Sequence, residues 1–235
     1  MKYRIGILGG GNISDSHLRA AMEIPELEIA GICGPNPEKV NALAEKSGAP
    51  AFGDEAEFFG TCPMDIVAIG SPSGLHASQG IAAAAKGIHV ITEKPIDITV
   101  DRADRLIEAC DRAGVKLGVF FQDRLCQGAR DLRNLLENGT LGRPILATAH
   151  VKWYRNPEYY SGSKWRGTWS LDGGGAVMNQ GIHTLDLLIW LLGKPRRVFG
   201  FTRTLLHRIE TEDTAVAVIE FESGALATYE ASTSA

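Results

Sequence analysis

The sequence predicts an α/β chain in two parts: a doubly wound parallel sheet, followed by an α+β domain with a largely antiparallel sheet. Three observations carry this. Short apolar runs rich in β-branched residues alternate with helical stretches through the first half, the pattern of a parallel sheet covered on both faces. The first run ends in a glycine turn, Gly9-Gly10-Gly11, that opens the first helical stretch. Near Gln122 the alternation stops, and a helix, an aromatic loop and paired apolar runs take over.

The strands of the first part are expected at 3–8, 28–33, 66–69, 89–92 and 116–120, and its helices at 12–24, 37–47, 73–86 and 100–113. Right-handed crossovers then make the sheet doubly wound. In the second part a helix at 126–138 stops at Gly139, and a strand follows at 144–153. A long loop at 154–175 leads to a strongly apolar helix at 176–192. Strands at 196–203, 214–221 and 225–231 close the chain, the last two joined through Ser223-Gly224. The domains are therefore expected at 1–122, binding a dinucleotide, and 123–235, serving substrate and self-association. No Gly/Ser/Pro linker separates them.

Bulk properties narrow the function. With 235 residues, 44% hydrophobic, 22% charged and a net charge of −4, the chain has the composition of a globular protein. It lacks the basic excess of a nucleic-acid binder. Cys33, Cys62, Cys110 and Cys126 show no C-x-x-C spacing and no metal-like clustering, which fits thiols in a reducing cytoplasm. No signal peptide is visible, and the apolar run 185–192 is interrupted by Asp186 and too short to span a bilayer. No metal site, membrane contact or nucleic acid is expected.

The glycine turn carries the first chemical signal. Gly9 permits a tight turn after the first strand, and Gly11 lets the backbone approach a pyrophosphate held at the next helix N-terminus. The third position of G-x-G-x-x-G is Ser14, small enough for close packing. The acidic residue that would bind an NAD ribose is replaced by Gly34 in Cys33-Gly34-Pro35-Asn36. No arginine stands there for a 2′-phosphate, and Asn36 can bond a ribose hydroxyl, so NAD is expected, with NADP left open. The small-residue loop Ile69-Gly-Ser71-Pro72-Ser-Gly-Leu-His76 closes the fourth strand beside the nicotinamide half; His76 reads equally as a local turn residue.

The second signal is Glu93-Lys94-Pro95, directly off a buried strand. Pro95 holds Lys94 extended, and a lysine beside a nicotinamide can favour a substrate alkoxide. The third is Gly173-Gly-Gly175 leading into a helix that carries Asn179 and His183, i and i+4 on one face, with Asp186 placed to orient the imidazole. Histidine titrates near neutrality and suits a general base that takes a hydroxyl proton.

Together the segments GILGGGNISDSH, HVITEKP and GGGAVMNQGIHTLDLLIWLLG, spread in order along the chain, resemble the Gfo/Idh/MocA family of nicotinamide-dependent oxidoreductases. The resemblance implies a Rossmann domain, then a domain whose open sheet face builds a homo-oligomer, a dimer or tetramer. It implies that Lys94 and His183 are catalytic, with Glu93 near the cofactor. Many members carry aspartate at Asn179, and an amide cannot accept a proton, so Asn179 would position substrate. The cofactor set then comprises Gly9, Gly11, Asn12, Ile13, Asn36, Ser71, Pro72, His76, Glu93, Lys94, Gln122, Trp165 and Arg166.

The stretch 150–169 holds three of the four tryptophans and three of the five tyrosines, interleaved with Lys152, Arg155, Lys164 and Arg166. Aromatic faces stack on sugars or bases, and arginine forks bind carboxylate or phosphate. Packing against a partner subunit explains the same aromatics equally. WYRNPEYY followed by KWRGTWSLDGGG is most similar to family members that oxidise the 3-hydroxyl of a UDP-N-acetylhexosaminuronate. Substrate contacts are expected from Tyr154, Arg155, Asn179 and Arg124. The expected reaction is hydride transfer from a hydroxyl-bearing carbon of a sugar or nucleotide-sugar acid to NAD(P)+. Alternatives are oxidation of inositols or free sugars, glycoside cleavage through transient oxidation, and a non-catalytic sensor or partner subunit. Family members run longer, so the chain is expected to be a fragment or a short form.

Overall fold

Why the first half becomes a covered parallel sheet is visible in its strands, which are apolar on both sides. The computed structural model describes residues 2–235, and the chain divides into two units, one ending at Phe120 and one running from Phe121 to Ala235. In the first unit β1 (Tyr3–Leu8), β2 (Leu27–Cys33), β3 (Ala51–Phe52), β4 (Ile66–Ile69), β5 (His89–Thr92) and β6 (Leu117–Val119) form one sheet in the order β3-β2-β1-β4-β5-β6. Every pairing in it is parallel. Helices α1 (Asn12–Met22), α2 (Pro37–Ser47), α3 (Glu55–Thr61), α4 (His76–Ala84) and α5 (Val100–Ala113) supply the crossovers. One apolar layer contains Ile7, Leu18, Ile32, Val40 and Leu43; another contains Leu8, Phe58, Ile69, Val90 and Leu106. Two such layers are what a doubly wound sheet requires.

In the first unit two elements went unforeseen. β3 is two residues long, paired through Ala51 and Phe52 to Ile32 and Cys33, and too short to show a period. α3 has seven residues, and its only local signal is Asp54, whose carboxylate accepts a hydrogen bond from Glu57 N at 2.8 Å. The expected helix at 73–86 is a 3₁₀ turn, Ser73–Leu75, followed by α4. Gly48 and Gly114 end α2 and α5 in left-handed conformation, the usual glycine C-cap.

In the second unit β7 (Leu146–Lys152), β8 (Pro195–Arg203), β9 (Thr214–Phe221) and β10 (Leu226–Ser232) form a sheet in the order β7-β10-β9-β8. β8, β9 and β10 are antiparallel neighbours, while β7 joins β10 in parallel. α6 (Gln127–Glu137) precedes the sheet, and α8 (Ile182–Leu192) covers one face through Leu188 against Ala149, Ile219, Tyr229 and their neighbours. On the other face Phe199 pairs with Val218 and Phe201 with Val216, and all four are exposed. The expected loop at 154–175 contains a short helix, α7 (Pro157–Ser161), which Asn156 caps and Pro157 starts. The expected helix at 176–192 begins as a π turn, Ala176–Gly181. Among the described residues no helix is long and apolar enough to cross a membrane.

Candidate active site

The glycine turn is wired to three strand ends. Gly9 N donates to Cys33 O and Gly70 N to Leu8 O, each at 2.7 Å. Gly9 has φ +129°, and a Cβ there would lie 2.8 Å from Gly70 O, so only glycine fits. Ser14 packs fully buried between Gly9 and Gly70, as a small third residue should. α2, α3 and α5 are capped by Asn36, Asp54 and Thr99, whereas the N-cap of α1 is Gly11, with no side chain to offer. The first-turn N–H groups of α1 therefore remain for a phosphate. Asn12 and Ile13 open that helix and are exposed. These residues fit a dinucleotide.

Around the second strand, Asn36 Oδ1 accepts from Lys39 N at 3.1 Å as the cap of α2, and its exposed amide edge is what a ribose would meet. Burial pushes the Cys33 thiol up to about 12, helped by the charge of Glu55. Ser71 donates to Gln79 Oε1 at 2.5 Å, and Gln79 donates to Glu55 at 2.6 Å. This fixes the loop holding Ser71 and Pro72.

His76 requires a correction. Expected at the cofactor, it is enclosed, with Nδ1 2.8 Å from Pro95 O and Nε2 2.9 Å from Ser71 O. A ring with both nitrogens on main-chain carbonyls has no edge left for a ligand. It ties the Ser71 loop to the Lys94–Pro95 peptide, which is cis. Buried Asp97 anchors the same segment by accepting from Ala77 N and Ile98 N.

Glu93 has a partner that sequence reading passed over. His17 Nε2 lies 2.9 Å from Glu93 Oε1, with both side chains largely buried and the imidazole against Phe120 at 4.6 Å. The other Glu93 oxygen accepts from Lys94 N at 3.3 Å. His17 thus orients the residue next to Lys94. Its only sequence signal was its place late in the first motif.

In the second unit the π turn and α8 carry Asn179 and His183. Asn179 Nδ2 donates to Asp172 Oδ1 at 2.7 Å, and the other Asp172 oxygen accepts from Gly167 N at 2.8 Å. Asp172, almost wholly buried, was also unforeseen. Gln180 donates to Tyr159 Oη at 3.0 Å. His183 stands edge-on to Phe121 at 6.1 Å. Asp186, expected to orient His183, accepts from Arg124 Nε at 2.7 Å and Nη2 at 2.5 Å. The Arg124 edge expected at substrate is committed to this pair, which raises its pKa further. Its guanidinium also lies over the rings of Phe121 and Trp190.

The aromatic loop assembles around Tyr159. The guanidinium carbons of Arg155 and Arg166 lie 4.7 and 4.3 Å from its ring centre, and each also covers a tryptophan, Trp153 and Trp165 respectively. Among the described residues, Nε of both arginines is buried without a hydrogen-bond partner. Tyr154 and Gln122 are exposed. The described residues contain no group of three or more His, Cys, Asp or Glu suited to a metal.

Residues 3–121 match the family described as oxidoreductase family, NAD-binding Rossmann fold, and residues 129–235 match the GFO/IDH/MocA C-terminal domain. The chain belongs to the Gfo/Idh/MocA oxidoreductase family. Within that family it is 37% identical to the WlbA dehydrogenase from Bordetella pertussis, solved in complex with NADH and UDP-GlcNAcA. The TM-score is 0.97, covering all of this chain and 72% of that one. It is 28% identical to the rhizopine catabolism protein MocA of Rhizobium meliloti, over 82% of this chain and 58% of that protein. It is 29% identical to the D-glucoside 3-dehydrogenase of Escherichia coli, over 82% of this chain and 54% of that protein. The chain thus spans little more than half the length of these two curated relatives. Its first unit matches the NAD-binding Rossmann domain of that family, and the uncapped α1 behind Gly9 is an arrangement that suits a phosphate.

Proposed function

We propose that this chain carries the catalytic residues of an NAD-dependent dehydrogenase that oxidises a CH–OH group of a nucleotide-linked sugar acid. The observation that carries the reading is the Arg155–Tyr159–Arg166 stack. Two half-buried guanidiniums with unpartnered Nε atoms, set among aromatic rings, suit a ligand combining negative charge with a sugar or base. Likeness to a dehydrogenase solved with UDP-GlcNAcA supports the same substrate class.

In this reading, residues 1–122 hold the cofactor and 123–235 serve substrate and self-association. NAD+, when bound, accepts the hydride. His183 takes the hydroxyl proton as the C–H bond breaks and the carbonyl forms, and the role read for Lys94 is to favour the alkoxide by its charge. Asn179, held by Asp172, positions the substrate without accepting a proton. Tyr154 and Arg155 face its charged portion, and Arg166, expected at the cofactor, is assigned to the same portion because it stacks on the same Tyr159 ring as Arg155. The exposed Phe199, Phe201, Val216 and Val218 surface would bury itself in a homo-oligomer. The four cysteines, all free thiols and three of them buried, fit the cytoplasm.

The test is formation of reduced nicotinamide, followed by absorbance, from NAD+ and NADP+ in turn. UDP-sugar acids, free hexoses and inositols are the substrates. Turnover confined to UDP-sugar acids is the expected outcome. Turnover with free sugars or inositols alone would remove the Arg155–Arg166 stack from the substrate argument.

A further inference from the structure

The segment bearing Asn179 and His183 begins at Gly175 (φ −110°, ψ −120°), which as a glycine has no side chain with which to cap the turn. The cap arrives from Glu212, just ahead of β9. Its carboxylate accepts from Gly175 N at 3.0 Å to each oxygen and from Val177 N at 2.9 Å. Its own carbonyl accepts from Ala176 N at 2.8 Å. Three successive N–H groups therefore end on one residue. The fit is tight: a Cβ on Gly175 would lie 1.7 Å from Glu212 O. The last glycine of the Gly173–Gly175 run thus has a structural cause.

The far end of the π turn is pinned as well. A Cβ on Gly181 would lie 1.9 Å from the Tyr229 hydroxyl and 3.2 Å from Ala231 Cβ, both on β10. Between these two stops the turn cannot slide along its axis, and Asn179 N closes back on Gly175 O at 2.9 Å. A one-residue shift would rotate Asn179 and His183 off their face, because side-chain direction follows backbone register. Carboxylate is the suitable cap: it is acceptor-only, and its charge answers the positive end of the helix.

We propose that Glu212 is a positioning residue of the reaction, fixing the register of the turn that aims Asn179 and His183. The proposal rests on the dehydrogenase reading for the role of those two residues. Glu212→Gln keeps the length of the side chain but turns one oxygen into a donor facing N–H groups. In the full chain, kcat should fall about 10- to 100-fold, the size of loss that a small misplacement of a reacting group brings. KM for the sugar and the dissociation constant of NADH should change little. The deuterium isotope effect on kcat should rise as hydride transfer becomes slower than release. Hydrogen exchange should quicken in the peptide spanning 175–183.

Glu212→Asp, which keeps the charge at shorter reach, should recover part of kcat and serves as the test if Glu212→Gln does not fold. A cap that only adds stability would lower the melting temperature and leave kcat and the isotope effect of folded protein unchanged; that result overturns the proposal. If the wild type turns over no sugar, the dehydrogenase reading fails first. Exchange in 175–183 then decides whether Glu212 fixes the turn: unchanged protection in the variant overturns that, and loss confined to that peptide upholds it.

Discussion

Asp172 sets which way the Asn179 amide points. Its Oδ1 takes the Asn179 NH₂ and its Oδ2 takes Gly167 N, so one carboxylate joins the candidate active-site helix to the loop of stacked arginines. Asp172→Ala should leave two buried donors poorly matched, costing about 1–3 kcal/mol in urea unfolding. It should also lower kcat/KM by about 10- to 100-fold while NADH affinity holds. Full activity in that variant would show that Asn179 needs no such support. His17 and His76 illustrate the same scale. One is a lone histidine on a helix that holds a carboxylate, and the other occupies a loop position that looked cofactor-facing and braces two carbonyls.

At the scale of elements, function depends on how helices begin. α1 leaves its first N–H groups open behind a glycine turn, whereas the π turn before α8 is closed by Glu212. The first arrangement suits an anion, and the second suits a rigid platform. Gly9→Ala puts a Cβ 2.8 Å from Gly70 O at φ +129°. Strain there costs roughly 1–3 kcal/mol, so the dissociation constant of NADH should rise about 5- to 150-fold. Fluorescence titration measures it, and wild-type affinity in the variant would mean the turn has room to relax. Asp213, next to Glu212, works differently: burial opposes its charge, but the backbone N–H groups of Leu205, Leu206 and His207 hold its carboxyl below the ordinary range. It shapes the 204–213 loop.

For the whole molecule, the open sheet face of the second unit is an exposed apolar surface. Phe199, Phe201, Val216 and Val218 lie side by side in β8 and β9, giving way to Thr228 and Glu230 on β10. We propose this apolar stripe on an edge pair as an association surface. Phe199→Lys should shift sedimentation of micromolar protein from an oligomer to the monomer, with NADH binding retained because the glycine turn and α1 lie in the first unit. A wild type that sediments as a monomer would dismiss the face as an interface.

Much of this was legible without coordinates. Periodicity in residues 1–120 reports burial on both sides of each strand, so the parallel sheet, the glycine turn and the motif around Lys94 follow from local pattern. The helix with Asn179 and His183 was equally plain, because polar residues stand out in an apolar run. What stayed hidden were the partners. His17 with Glu93, Asp172 with Asn179, Arg124 with Asp186 and Glu212 with Gly175 are pairs distant in sequence or without spacing of their own. The parallel pairing of β7 with β10 was hidden likewise. Sequence by itself determined most of the strands, the place of the glycine turn and which side chains have reactive chemistry. Tertiary structure alone decided which of those side chains are held, and by what, since hydrogen bonds and ion pairs between distant segments leave no period in the chain.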